Sequence, residues 1–518
     1  MRWLSWLGRQ PIAWLLAVAF ATALFVFRDY GLAWDEPLFY KYADALGYAY
    51  TPANWLSGEF DLNRSYGPSA DDHKTRGPGY LLIARLPARA LQGLGLDGAS
   101  SWHLVNFCAF LLGVYFVYRL GKWLAGDGAA LLGAALFATQ PLLWGHAFIN
   151  PKDMPFLVLN SGAIWVGVGM VDRLSDSQET PWYRLAAGLV LPALFLGLAS
   201  SNRVLGPLGG LLVSLYWIAR RPGWRTAAAI ILYGILACAV MISTWPYLWE
   251  SPLRFVEVFG LMAQNPTVLP VLFADSVYRA NQLPLRYLPF YLGATVTEPV
   301  WPLFALGLIG GLLRAGASDG RRLRLMILLS WLLVPLAYAL IARPPLYDGM
   351  RHFLFVLPPV FAIGALGVEF LLRRLSHGSM RIVLATLVLI PGTAGIVILH
   401  PYEYAYFNSL TGGTGGAFRH YETEYWLTCY KESIERFNER VSEPARLFVH
   451  REAAVAAPYA APHVTVLDER GAKTAIGAGD YILVNTRTNE DQRTYPDAPE
   501  LLTVGRTGAT FCVIKSIP

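Results

Sequence analysis

Long apolar runs separated by short polar clusters occupy most of the chain. Runs of the length that a bilayer-crossing helix needs recur near 11–27, 101–118, 129–148, 154–171, 185–201, 204–219, 226–245, 297–313, 325–342, 352–372 and 382–399. They predict about eleven spans. The stretch 185–219 divides at the polar Ser200-Ser201-Asn202-Arg203. Arg2 and Arg9 precede the first run, and no small-residue cleavage site separates it from Arg28 and Asp29. That pattern reads as a retained signal anchor.

The polar clusters have sides. With the N-terminus in the cytoplasm, the inner loops carry Arg119/Lys122, Arg173/Arg184, Arg220/Arg221/Arg225, Arg314/Arg321/Arg322/Arg324 and Arg373/Arg374/Arg381. Every predicted inner loop is basic, as the positive-inside rule requires, and an odd number of spans leaves the chain after His400 outside. The outer segments are then 28–100, Asn150–Asp153, 246–296 and Arg343–Arg351. Gly79 to Leu94 predicts an amphipathic helix carrying Arg85 and Arg89, suited to the membrane surface.

From about Glu422 the pattern changes. Thr428 to Val441 has helical spacing, and Leu447–His450, Val464–Leu467, Tyr481–Val484, Leu501–Val504 and Phe511–Lys515 read as short strands between turn residues. The expected architecture is an all-α polytopic membrane domain over 1–421, with a long first outer loop 28–100, followed by a small extracytoplasmic α/β domain over 422–518.

Composition supports the membrane reading. The 518 residues are 55% hydrophobic and 15% charged, with a mean hydropathy of +0.39, whereas soluble domains carry roughly a quarter charged residues. The formal charge of +6 is spread over short loops and forms no basic stripe, which argues against a nucleic-acid partner. No P-loop, Gly-x-Ser-x-Gly elbow or zinc signature is present, and no long-period repeat suggests a duplicated transporter. Cys108 and Cys238 fall in spans and read as packing residues. Cys429 and Cys512 fall in the outer domain, where an oxidising compartment permits a disulfide. A bridge and two free thiols both stay open, because sequence does not fix their separation.

Three outer-face clusters could carry chemistry. Asp35 and Glu36, in Trp34-Asp35-Glu36-Pro37, follow the first span. A carboxylate at the bilayer edge could take a proton from a hydroxyl or hold a divalent cation, while the plain alternative is a wet loop. Asp153, beside Lys152 in Asn150-Pro151-Lys152-Asp153, faces the same compartment; a charged Pro-bracketed turn is the alternative there. Arg203, Arg343, Arg351 and His352 supply outer cations. Arg351 suits a phosphate or pyrophosphate, or else an ion pair with Asp348. His352 lacks neighbours at zinc spacing.

These features, with the strings HAFINPKDMPF, YDGMRHFLFVLPP and HPYEYAYFNSLTGG, resemble the GT-C fold. They are similar to the bacterial relatives of protein O-mannosyltransferases and aminoarabinose lipid A transferases over roughly residues 10–420. The resemblance implies a sugar transferase of the bacterial plasma membrane. It would use a polyprenyl-phosphate-linked donor and a lipid, glycan or protein acceptor on the outer face. It maps the general base onto Asp35 with Glu36 beside it, the second acid onto Asp153, and a donor-phosphate contact onto Arg351. Arg203, Lys152 and His352 join it as further donor-phosphate candidates. Asp35 and Asp153 could hold Mg²⁺ or Mn²⁺, or act without either. One departure is Arg76-Gly77-Pro78-Gly79, where relatives often carry His-Pro-Pro.

A single base with direct displacement implies inversion at the anomeric carbon; retention would call for a second carboxylate. A lipid or sugar transporter is the alternative, although it would expect mid-span charges, and Glu369 lies near a span end. A scaffold displaying the outer domain would not need so many spans.

Overall fold

The computed structural model describes residues 10–176, 181–220, 223–264, 267–314, 320–472 and 475–518. Arg2, Arg9 and Arg221 lie outside the described residues, as does the side chain of Arg314.

Among the described residues six helices are long and apolar enough to cross a membrane: Gly98–Leu124, Asp153–Ser175, Trp182–Asn202, Trp224–Thr244, Arg321–Ala342 and Gly378–Leu399. Shorter apolar helices at Pro11–Val26, Pro207–Ala219, Val300–Leu313 and Pro358–Leu372 occupy other predicted runs. The predicted count of about eleven is not reached by full-length helices alone. Large apolar side chains such as Phe25, Ile341 and Val397 are exposed on the outer helix faces, a surface that suits lipid rather than water. This is a multi-pass membrane protein.

Two predicted spans change shape at proline. The run 129–148 is two helices, Asp127–Ala138 and Pro141–Ile149, bent by 62°. Pro141 opens the second helix, and the Gln140 side chain fills the break. Its amide donates to the Leu136 carbonyl at 2.9 Å and its oxygen accepts from the Thr297 N–H at 3.0 Å. The run 352–372 begins its α-helix only at Pro358, after a 3-10 turn over Arg351–Val356, because proline favours the first helical position and disfavours continuation through it. Both breaks lie next to segments that carry the candidate residues. At the opposite end the basic loops hold one another: Arg324 donates to the Trp123 carbonyl at 3.0 Å, and Arg220 lies 3.7 Å from Asp172.

The amphipathic helix forms over Gly79–Gly93 despite Pro87. It buries Tyr80, Leu81, Ala84 and Ala88, and Arg89 pairs with Asp44 at 2.9 Å. A hairpin, Pro270–Phe273 with Ser276–Arg279, lies within 246–296.

The C-terminal strands appear where the sequence places them. The sheet order is Val464–Asp468, Ala445–Val449, Tyr481–Asn485, Ala509–Ser516, Glu500–Arg506. The first three are parallel and the last two pair antiparallel. Helix Cys429–Arg440 packs on this sheet, and Cys429 is bonded to Cys512, which settles the open choice between bridge and thiols. Cys108 and Cys238 are exposed rather than packed inside: their helix faces point away from the bundle interior.

Candidate functional site

Asp35 sits at the N-cap of helix Glu36–Leu46, two residues before Pro37. Its Oδ2 accepts from Arg351 Nη1 at 3.0 Å, and Arg351 Nη2 lies 3.1 Å from Asp348. Arg351 is almost fully buried and stacks its guanidinium 4.4 Å from the Trp426 ring centre. Asp348 (φ 58°) and Gly349 (φ 64°) form a left-handed turn. The turn is fastened where the Gly349 N–H donates to the Tyr287 hydroxyl at 3.0 Å and Leu346 N–H to the Ala280 carbonyl. Such conformations persist where the surroundings fix them.

Asn150 organises the second cluster. Its side-chain oxygen accepts from the Asp153 N–H at 2.8 Å and its amide donates to Asp153 Oδ2 at 3.1 Å. Asp153 pairs with Arg203, and Asn202 donates to the Lys152 carbonyl at 3.0 Å. The break predicted at 200–203 thus brings Arg203 to Asp153.

Asp35, Lys152, Asp153, Arg203, Arg351 and His352 line one cavity of about 570 Å³. Arg76 also lines its polar end. From there the wall turns apolar, through Leu205, Leu208 and Leu211 on one side and Val334, Pro335 and Tyr338 on the other. Leu211, Val334 and Tyr338 are about half exposed, so the apolar end opens on the lipid-facing surface between helices Pro207–Ala219 and Arg321–Ala342.

Cations crowd the polar end. Arg76 pairs with Asp72 at 2.7 Å, Arg203 with Asp153, and Arg351 with Asp35 and Asp348. The Lys152 ammonium rests 5.1 Å over the Phe39 ring, and no described carboxylate pairs with it. Burial, and then the guanidiniums of Arg76 and Arg203, push its pKa well down. The same four cations, after burial, keep His352 neutral. An anion entering here would relieve that repulsion.

Both lining carboxylates already hold arginines, Arg351 on Asp35 and Arg203 on Asp153. Among the described residues no group of three or more His, Cys, Asp or Glu is arranged to hold a metal. The expected Mg²⁺ or Mn²⁺ role for Asp35 and Asp153 is not supported by this arrangement.

Glu36 does not join Asp35. It is fully buried and absent from the cavity wall. Its carboxylate accepts from the Tyr40 hydroxyl and the Ala33 N–H, and lies 3.0 Å from His103 Nε2. Glu36 is thus set back from the cavity, in contact with the loop that carries Asp35. The helical turn after Asp35 sends adjacent side chains in different directions.

Sequence reasoning missed Asp348 as part of this cluster beyond a pairing alternative, and missed Arg487. Arg487 lies just after strand Tyr481–Asn485 and contacts Asp348 at 2.7 Å and Glu422 at 3.4 Å. It stands among polar residues, Asn485-Thr486-Arg487-Thr488-Asn489, so the sequence offered no signal that sets it apart.

No protein family's sequence profile matches the chain, and no curated protein matches it in sequence. Among solved structures the chain is similar to ArnT from Cupriavidus metallidurans bound to undecaprenyl phosphate, at 12% identity over 98% of each chain with a TM-score of 0.48. It is also similar to the archaeal oligosaccharyltransferase AglB from Archaeoglobus fulgidus in complex with an inhibitory peptide and a dolichol-phosphate. That likeness has 11% identity and a TM-score of 0.49, over 93% of this chain and 70% of the other. A third likeness, to the arabinofuranosyltransferase AftD from Mycobacteria, has 13% identity and a TM-score of 0.42, and covers 97% of this chain but 41% of that one. Identities this low and TM-scores below 0.5 carry no residue role across.

Proposed function

We propose that the chain transfers a sugar from a polyprenyl-phosphate-linked donor to an acceptor hydroxyl, with inversion, on the extracytoplasmic face of a bacterial plasma membrane. The observation that carries this reading is the cavity itself: a cationic end at Asp35 continuous with an apolar groove open to lipid. A prenyl chain matches the groove and its phosphate matches Lys152, Arg203 and Arg351. The Cys429–Cys512 bridge supports an oxidising outer compartment for the C-terminal domain.

The chemistry needs no further group. Arg351 divides its two terminal nitrogens between Asp35 and Asp348. A donor phosphate competes with Asp35 for that guanidinium and leaves the carboxylate free to accept a proton. The acceptor O–H gives its proton to Asp35 as its oxygen bonds to the anomeric carbon. The bond from that carbon to the phosphate oxygen breaks, and the electron pair stays on the lipid phosphate, where the cations stabilise it. Lys152 and Arg203 orient the phosphate, Asp153 holds Arg203, and neutral His352 borders the site.

Replacing Asp35 by Asn in the purified protein, with a polyprenyl-phosphate sugar as donor, tests the reading. Transfer should be abolished while the protein stays folded and membrane-inserted; full activity would overturn the assignment. Lipid or sugar movement across proteoliposomes that survives Asp35→Asn would favour the transporter reading instead.

A further inference from the structure

The C-terminal domain touches the Asp35 loop directly. Trp34 N–H donates to the Trp426 carbonyl at 3.0 Å, Leu32 N–H donates to the Tyr459 hydroxyl at 2.8 Å, and Lys431 donates to the Arg28 carbonyl. A Cβ on Gly31 would lie 2.3 Å from the Thr428 carbonyl oxygen, so the loop meets the domain at backbone distance. This is closer association than a domain that is merely displayed requires.

Charge runs through that contact. Glu422, Arg487, Asp348, Arg351 and Asp35 form a buried series of alternating sign, with separations of 3.4, 2.7, 3.1 and 3.0 Å. Glu422, Arg487 and Asp348 are buried away from the cavity wall. Arg487 is aimed into the series by its own turn. Its N–H donates to the Asn485 side chain at 2.8 Å, Thr488 and Asn489 are left-handed, and Arg419 clamps Asp491 with two contacts of 2.7 Å. Its guanidinium also lies 5.5 Å from the Trp34 ring centre.

We propose that Arg487 is a positioning residue of the sugar-transfer site: by holding the far side of Asp348, it leaves Arg351 free to serve Asp35 and the donor phosphate. The inference rests on the transferase reading above and adds a role for the C-terminal domain within it.

The physical reason is charge balance. Two buried cations, Arg487 and Arg351, serve three acids, Glu422, Asp348 and Asp35. Removing Arg487 leaves Asp348 and Asp35 on Arg351 alone. The fully buried Asp348 has no water to fall back on, so it claims the guanidinium and Asp35 loses its partner. Burial pushes the Asp348 carboxyl up while Arg487 and then Arg351 pull it back, with Asp35 and Arg451 also acting on it. Tyr287 and Tyr291, from the neighbouring helix, with Tyr425 and Glu422, are the other titratable groups that act on it.

The test compares wild type, Arg487→Gln, Arg487→Lys and the charge-balanced Asp348→Asn/Arg487→Gln, all as full-length protein with a polyprenyl-phosphate sugar. For Arg487→Gln, the acid limb of kcat/KM against pH, which reports the donor-free protein, should move up by about one unit. A carboxylate that loses a nearby cation binds protons more readily, by one to three units for a close pair. Below the limb kcat/KM should fall about tenfold. The double variant should return the limb toward wild type, and Arg487→Lys should lie between.

A wild-type limb in Arg487→Gln overturns the inference, as does a double variant shifted as far as the single one. If Arg487→Gln does not assemble, the double variant carries the test: a wild-type limb supports the coupling and a raised limb overturns it. A wild type without transfer overturns the transferase reading and this inference with it. A wild type that transfers sugar, with Asp35→Asn inactive and Arg487→Gln unaltered, overturns the inference alone.

Discussion

Asp35 and Arg351 stand 316 positions apart in sequence and meet at 3.0 Å. One comes from the loop after the first apolar helix and the other from the 3-10 turn before helix Pro358–Leu372. Their contact closes the polar end of the cavity. It also makes the carboxylate and the phosphate-binding cation a single unit, in which each is occupied until a donor separates them.

Glu36 and Asp35 should respond in opposite ways to removal of their charge. Glu36→Gln breaks a fully buried cluster with His103, Tyr40 and the Ala33 N–H. Hydrogen bonds to a buried charged group are worth about 1.5–3 kcal/mol. Thermal unfolding in detergent should show a clearly lowered melting temperature, while the folded fraction keeps the wild-type donor KM. Unchanged stability with lost turnover would return Glu36 to the chemistry.

The C-terminal domain should lose stability as pH rises. Burial pushes the Glu424 carboxyl up to about 7, against hydrogen bonds from Tyr404, Asn485 and the Thr428 and Trp426 N–H groups. A carboxyl raised on folding takes up a proton in the folded state. Its contribution is complete below the unfolded value of 4.5 and is lost as pH rises through about 7. The shift corresponds to about 3 kcal/mol. Melting temperatures should therefore fall between pH 5 and pH 8, and Glu424→Gln should flatten that slope.

The apolar wall should govern donor binding and leave the chemical step alone. Leu208 and Val334 line the cavity from facing helices, away from the charged end. Leu208→Trp, or Val334→Trp, should raise KM for a long-chain polyprenyl-phosphate sugar about tenfold or more, the range set by misfit in an apolar pocket. The effect on a short-chain donor should be smaller and kcat should hold. Steady-state kinetics with donors of two chain lengths check this.

Much of the frame was legible in the sequence. Hydrophobic period and turn residues place the five C-terminal strands within a few residues, because each alternates apolar positions between Gly, Pro or Asp turns. The polar break at 200–203 and the turn at 150–153 mark Arg203 and Asp153, since polar residues inside an apolar run must find partners. What hydropathy cannot register is where a run bends. Pro141 and Pro358 break helices inside apolar stretches that average as continuous. Nor does adjacency separate Asp35 from Glu36, whose side chains leave the same helix start in different directions. Arg487 was illegible for another reason: its partners Asp348 and Glu422 come from distant segments, and only tertiary packing assembles them.

The central claim, that a lipid-linked phosphate sits beside Asp35, is tested most directly by a structure of the protein in lipid nanodiscs with a polyprenyl phosphate added. Phosphate density among Lys152, Arg203 and Arg351, with the chain leaving between helices Pro207–Ala219 and Arg321–Ala342, is the predicted result. Density for the lipid elsewhere, with the Asp35–Arg351 contact intact and the cavity empty, would contradict it.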